Sequence, residues 1–199
     1  MGRIQTSLTF GVYFWKDIDL NGKVVLDAGT GFGISTLEIA KRMNAQKQIG
    51  KIISIDIDLE SFKLAEKLLK LHGLQDLVTF IRADLAAMPQ IETESIDIIL
   101  STRTLSDVNR FPCRLIRAIS EFYRVLKRGG RIVLSDECPR LTPFSSEEDI
   151  AVSRWNLAKA LSHLTGKPHS HEDPEDLEFM MKLVGFRGCE WTTFKGKNT

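Results

Sequence analysis

The 199-residue chain is short of cysteine, of excess charge of either sign and of long apolar runs, and each shortage removes a class of protein. Cys113, Cys138 and Cys189 are an odd number, far apart and without a C-x-x-C pair, so neither a disulfide framework nor a zinc site is expected. A reducing cytoplasm suits them. Against 26 Asp and Glu stand 27 Lys and Arg, a net charge of +1, which lacks the broad basic footprint of a protein whose main partner is nucleic acid or an anionic membrane. The longest early apolar run, Leu8 to Trp15, is interrupted by Gly11 and closed by Lys16 with no small-residue cleavage site after it. Neither a membrane span nor a signal peptide is expected from it. Met1-Gly2-Arg3-Ile4-Gln5-Thr6 matches a lipidation pattern too loose to carry a conclusion. There is no internal repeat and no low-complexity tract.

What is present suffices for a core, since 43% of the residues are apolar. The length fits one domain over 1–199, with an N-terminal lid or helical segment over 1–20 and a substrate-side insertion over 137–175. Val24 to Leu26, Ile52 to Ile55, Val78 to Ile81, Ile96 to Leu100 and Ile132 to Leu134 are short β-branched runs that predict five buried strands. Helical stripes lie between them. Ile34, Leu37, Ala40 and Met43 form one; Leu59, Phe62, Ala65, Leu68 and Leu69 form another. A third runs from Leu115 to Leu126, with Lys127 and Arg128 in its last turn and Gly129 as its cap. Strand and helix alternating in this way predict parallel pairing through right-handed crossovers, hence a doubly wound α/β sheet with helices on both faces. Further on, helices are expected around Ile150 to Leu164 and from Asp173-Pro174 to Gly185, and a sixth strand over Cys189 to Phe194. Trp155 and Leu161 are read as core.

The first strand runs into Asp27-Ala28-Gly29-Thr30-Gly31-Phe32-Gly33 and then a helix. Such a turn brings bare backbone against a ligand, while the helix start presents N–H groups to an anion. A dinucleotide loop would carry its third glycine at position 34, which is Ile34, and this sets a nicotinamide-dependent oxidoreductase aside. The spacing here, with an acid two residues before the first glycine, resembles the first motif of the class I S-adenosylmethionine-dependent methyltransferases, acid-x-G-x-G-x-G. Later landmarks agree over about residues 20 to 195. Asp56 ends the second strand, Arg82-Ala83-Asp84-Leu85 the third, Ser95 to Ser101 forms the fourth, Leu126 to Leu134 turns into the fifth, and Leu183 to Phe186 closes the last helix.

The resemblance implies a Rossmann-like fold with S-adenosyl-L-methionine as cofactor and S-adenosylhomocysteine as product. It implies a cofactor site of Asp27, Gly29, Thr30, Gly31, Gly33, Asp56, Ile57, Asp84, Leu85, Ser101 and Thr102. In it Asp56 would accept from the ribose hydroxyls and Asp84 face the adenine amino group. Asp27 either faces the cofactor's cationic end or steadies the helix N-terminus. Asp58 reads as the cap of the helix that follows it.

The family's acceptor binds above the fourth and fifth strands, which implies a pocket from Ser101 to Asp107 and Asp136 to Pro139. The Asn-or-Asp, double-proline and aromatic signature of its nucleic-acid amino-methylating branch is absent after the fourth strand, so a small-molecule acceptor is expected and a nucleic acid is not. Pro112-Cys113 is similar to the pair of cytosine-C5 enzymes, but no partner for a thiolate lies nearby, and Cys113 is read as a buried small hydrophobe. His169 and His171 read as loop rather than metal ligands, and the sequence nominates no catalytic residue. Phe10, Tyr13, Phe14 and Trp15 suit a lid or ordinary packing equally. The family's seventh strand is missing, which points to a sheet edge covered by a second copy of the chain. A cofactor-binding partner of the same fold without transfer activity is the second reading.

Overall fold

The computed structural model describes residues 15, 17–47, 49–109, 113–136, 157, 160–161, 164–165 and 174–191. Five strands, β1 (Val24–Ala28), β2 (Lys51–Asp56), β3 (Val78–Arg82), β4 (Ile96–Thr102) and β5 (Leu126–Ser135), pair in parallel in the order β3-β2-β1-β4-β5. The order reverses between β1 and β4, the switch point at which open α/β sheets take ligands outside the carboxyl ends of their strands.

The helices are α1 (Ile34–Ala45), α2 (Leu59–Leu71), the short α3 (Leu105–Val108), α4 (Arg114–Val125) and α5 (Pro174–Val184). Parallel strands covered on both faces require apolar side chains in both directions, and successive strand residues supply them. Val25, Ile98 and Leu100 join Leu37, Ala40, Met43 and Leu69 on one face, under α1 and α2. Leu26 and Ile99 join Leu115, Ile119 and Phe122 on the other, under α4, with Met180 and Val184 of α5 packed against them. Trp15 is buried with the first group; the Arg42 guanidinium stacks over its ring at 5.5 Å and donates to its carbonyl and to that of Ile18. Trp15 is thus core, while Phe10, Tyr13 and Phe14 lie outside the described residues.

Three expectations need correction. Helix α4 stops at Val125, and Leu126 is already extended, with φ −75° and ψ 131°. The carbonyls of Arg124 and Val125, which local chemistry assigns to a further helical turn, accept from Glu94 and Ser95 N–H at 2.9 Å, and Leu126 pairs with Ile96. Lys127 to Gly130 then loop out opposite Asp97 before Arg131 rejoins at Ile98. Leu161, read as core, is exposed. Cys189 to Trp191 are not in a strand, and the rest of the expected sixth strand lies outside the described residues, as do Asp173 and Trp155. Gly185 ends α5 as expected, with Phe186 N–H donating to Met181 O at 3.0 Å. No helix among the described residues is long and apolar enough to cross a membrane.

Candidate functional site

The loop from β1 to α1 is built around close approaches. A Cβ on Gly29 would stand 2.2 Å from Thr104 Oγ1, and one on Gly33 2.6 Å from Ala65 Cβ of α2. Both glycines have positive φ, 94° and 83°, so backbone conformation and packing each demand a residue without a side chain. Gly29 and Thr30 N–H both donate to Ile55 O at 2.9 Å, and Gly33 N–H donates to Thr30 O at 2.9 Å. Helix α1 starts at Gly33 with no side-chain cap and no acidic residue in its first turn, which leaves its N-terminal N–H groups to an outside anion.

Beneath the loop Asp27 is 1% exposed. Its carboxylate accepts from Ser35 Oγ at 3.0 Å, from Thr36 Oγ1 at 2.5 Å and from Ser54 Oγ at 3.4 Å. Ser54 in turn shares hydrogen bonds with Thr30 Oγ1 at 2.6 Å and Thr36 Oγ1 at 3.0 Å. Burial pushes Asp27 up from 3.8 to about 6, opposed by the three hydroxyls and reinforced by the charge of Asp56. Its side chain therefore faces into the protein and joins β1, β2 and α1, the steadying role of the two expected for it.

Asp56 is only half-buried. Gly31 N–H donates to its Oδ2 at 2.8 Å and Asp58 N–H to its Oδ1 at 3.0 Å, and its own carbonyl accepts from Ala83 N–H at 3.1 Å. The neighbouring Ile57 is 58% exposed and Phe32 of the loop 67%, an apolar rim beside the carboxylate. Asp58 caps α2 as expected, accepting from Glu60 N–H at 3.2 Å and Ser61 Oγ at 3.0 Å. Asp84 accepts from Ala86 N–H at 2.9 Å and from Arg114 Nη2 on both oxygens at 2.6 Å. Burial pushes the Asp84 carboxyl up, but the Arg114 and Ala86 hydrogen bonds and the Arg114 charge outweigh it and hold the group below the ordinary range. Leu85 turns its side chain into the core, leaving its backbone for a ligand. Ser101 is buried and donates to Ala28 O at 2.9 Å, while the Thr102 carbonyl accepts from Thr104 Oγ1 at 3.1 Å.

The expected residues thus gather along one edge of the sheet, at the carboxyl ends of β1 to β4. Two contacts there were not foreseen, Thr104 against Gly29 and Arg114 on Asp84; neither partner lies within a helical or strand repeat of the other. Cys113 is exposed, not buried: it precedes α4 with φ 64° and faces a cleft of about 260 Å3 between the starts of α4 and α5. His163, His169, His171 and 137–139 lie outside the described residues. Among the described residues no group of three His, Cys, Asp or Glu could hold a metal ion.

A family model described as a methyltransferase domain matches residues 19–183. The chain belongs to this family. The class inferred from the motifs is borne out, and with it S-adenosylmethionine as the cofactor of that class. The methyltransferase is 26% identical over 203 residues to the ubiquinone/menaquinone biosynthesis C-methyltransferase UbiE of Escherichia coli O1:K1 / APEC, covering 92% of this chain and 77% of that protein. Its fold is similar to that of a SAM dependent methyltransferase from Aquifex aeolicus, with a TM-score of 0.63 at 18% identity, over 92% of this chain and 84% of the other. It is similar also to geranyl diphosphate C-methyltransferase from Streptomyces coelicolor A3(2), with a TM-score of 0.65 at 17% identity, over 87% and 59% of the two chains.

Proposed function

We propose that this methyltransferase moves the methyl group of S-adenosylmethionine to a small-molecule acceptor by in-line displacement. The cofactor supplies a sulfonium methyl: an acceptor lone pair forms the new bond to the methyl carbon, the S–CH3 electron pair returns to sulfur, and the acceptor's proton passes to solvent. The chain's part is to bind and to align, since holding nucleophile and electrophile at about 3–3.5 Å supplies most of what such a step needs. An amine or thiol acceptor requires no dedicated base.

The observation that carries the reading is Asp56. A carboxylate offers about four acceptor directions. Gly31 and Asp58 N–H occupy two, and the half-exposed remainder suits the two ribose hydroxyls. The uncapped start of α1 and the backbone of Gly29, Thr30, Gly31 and Gly33 suit the cofactor's carboxylate. Exposed Ile57 offers a face to the adenine ring, with Asp84 and the Leu85 backbone at its edge. Ser101 and Thr102 lie below the sulfonium end, where β4 meets β1. Asp27 supports the site from beneath. A small-molecule acceptor is supported by the near-neutral net charge and by relatives named for ubiquinone/menaquinone biosynthesis and geranyl diphosphate.

Calorimetric titration of the wild type and Asp56→Ala with S-adenosylmethionine, S-adenosylhomocysteine and NADH tests this. The two adenosyl compounds should bind the wild type, lose affinity in the variant and leave NADH silent. Absence of binding by all three to the folded wild type would overturn the proposal.

A further inference from the structure

The start of α4 breaks local rules. Its first residue is Arg114, although a cation at a helix N-terminus opposes the macrodipole. The preceding Cys113 has φ 64°, no side-chain cap bonds the helix, and the first turn holds no acid to offset the charge. Local inconsistency of this kind is expected where a site, rather than the fold, dictates the residue. What Arg114 does instead is reach Asp84, thirty residues earlier in the chain, and place Nη2 at 2.6 Å from both carboxylate oxygens. The two side chains are 32% and 30% exposed, so the pair is partly screened and adds little to stability.

Its effect on Asp84 is specific. The Ala86 N–H takes one lone pair of Oδ1, and the two Nη2 hydrogens take one on each oxygen. Of the roughly four acceptor directions of a carboxylate, one on Oδ2 is left. The guanidinium also keeps the group ionised, and therefore unable to donate.

We propose that Arg114 is a positioning residue that sets nucleobase selectivity, holding Asp84 as a single acceptor that matches one N–H of a 6-aminopurine and opposes the carbonyl of a 6-oxopurine. This rests on the cofactor reading above and adds the residue that makes its adenine end selective. An oxygen facing the remaining lone pair would leave two acceptors in contact, which costs more than a missing bond. Arg114→Lys retains charge but not the planar fork, so it restores the arrangement only in part.

The test is the ratio of affinities for S-adenosylhomocysteine and S-inosylhomocysteine, by calorimetry, in the wild type, Arg114→Met and Arg114→Lys, with thermal unfolding as the check on folding. The wild type should favour the adenosyl compound, and Arg114→Met should shrink that preference by about tenfold, the equivalent of about 1.4 kcal/mol. Arg114→Lys should fall between. An ion pair that only braces α4 would weaken both ligands alike, and an unchanged ratio overturns the proposal. If Arg114→Met does not fold, the ratio in Arg114→Lys decides. Failure of the folded wild type to bind S-adenosylhomocysteine removes the cofactor reading and this inference with it; normal binding with an unchanged ratio in the variants removes this inference alone.

Discussion

The backbone N–H of Gly31 and the Oδ2 of Asp56 are 2.8 Å apart, so the tip of the glycine loop is held by the carboxylate that ends the next strand. The acid proposed for the ribose is therefore also the anchor of the loop. Both N–H groups it accepts from, Gly31 and Asp58, are near solvent, and water replaces the acceptor in Asp56→Ala. The expected cost in folding stability is about 1 kcal/mol by urea unfolding. Binding should suffer more, with S-adenosylhomocysteine weakened roughly 10- to 150-fold, the equivalent of about 1.5–3 kcal/mol. Equal losses in the two measurements would place Asp56 in the fold alone.

Gly31 and Gly33 separate conformation from packing. A Cβ on Gly31 meets nothing within 4 Å and its φ is 48°, whereas one on Gly33 comes 2.7 Å from the backbone Cα of Ala65 at φ 83°. Gly31→Ala should cost about 1–2 kcal/mol, the left-handed penalty alone. Gly33→Ala adds overpacking, for roughly 2–5 kcal/mol in all. Coupling with Ala65→Gly in a double-mutant cycle should recover the packing part and leave the conformational part. Two glycines equally sensitive to alanine would contradict the contact.

Asp27 makes stability depend on pH in an unusual direction for an aspartate. Its folded value is raised from 3.8 to about 6, chiefly by burial, so between those values the folded chain holds a proton that the unfolded chain has released. That contribution is complete below 3.8 and is lost as pH rises through about 6, roughly 3 kcal/mol in total. Asp84, Asp97 and Glu121 are held below their ordinary values and act only at more acid pH. Asp27→Asn does not titrate. From about pH 7.5 to about pH 5, the wild type should therefore gain about 1.4 kcal/mol on Asp27→Asn in urea unfolding. A constant difference between the two proteins would refute the assignment.

Asp97 stands opposite the looped-out stretch of β5 and bridges three segments. Its Oδ2 accepts from Val24 N–H at 2.9 Å and from Lys127 Nζ at 2.9 Å. Burial raises its carboxyl, but the Lys127 and Val24 hydrogen bonds and the charges of Lys127 and Lys23 bring it below the ordinary range. Removing the acceptor strands a part-buried backbone donor, so Asp97→Ala should cost about 1–3 kcal/mol. Lys127→Met removes a part-exposed cation and should cost at most about 1 kcal/mol. Thermal unfolding of the two variants checks the ranking, which a larger effect at Lys127 would reverse.

The five strands were legible because strands buried on both faces must be apolar throughout, as Val24 to Leu26 and Ile96 to Leu100 are. The glycine loop and the Asp58 cap were legible for a different reason, since turn and cap chemistry act within a few residues. Where local chemistry and tertiary pairing competed, the sequence misled. Lys127, Arg128 and Gly129 look like a helix end, yet the Glu94 and Ser95 N–H groups draw the preceding carbonyls into the sheet. Cys113 followed the burial habit of its residue type until its position just before α4 turned it outward. Arg114 on Asp84 and Thr104 on Gly29 carried no signal, because nothing in a sequence period relates residues that meet only after two crossovers.

The donors of the glycine loop have a further consequence. Gly29 and Thr30 N–H share the Ile55 carbonyl, and the Thr30 hydroxyl is tied to Ser54, both inside β2. Releasing the loop therefore means disturbing the sheet. Its amide protons at these two positions should exchange with deuterium as slowly as those of the central strands, by sub-global opening instead of local fraying. A cradle already frozen in this way takes its ligand with little loss of chain freedom on binding.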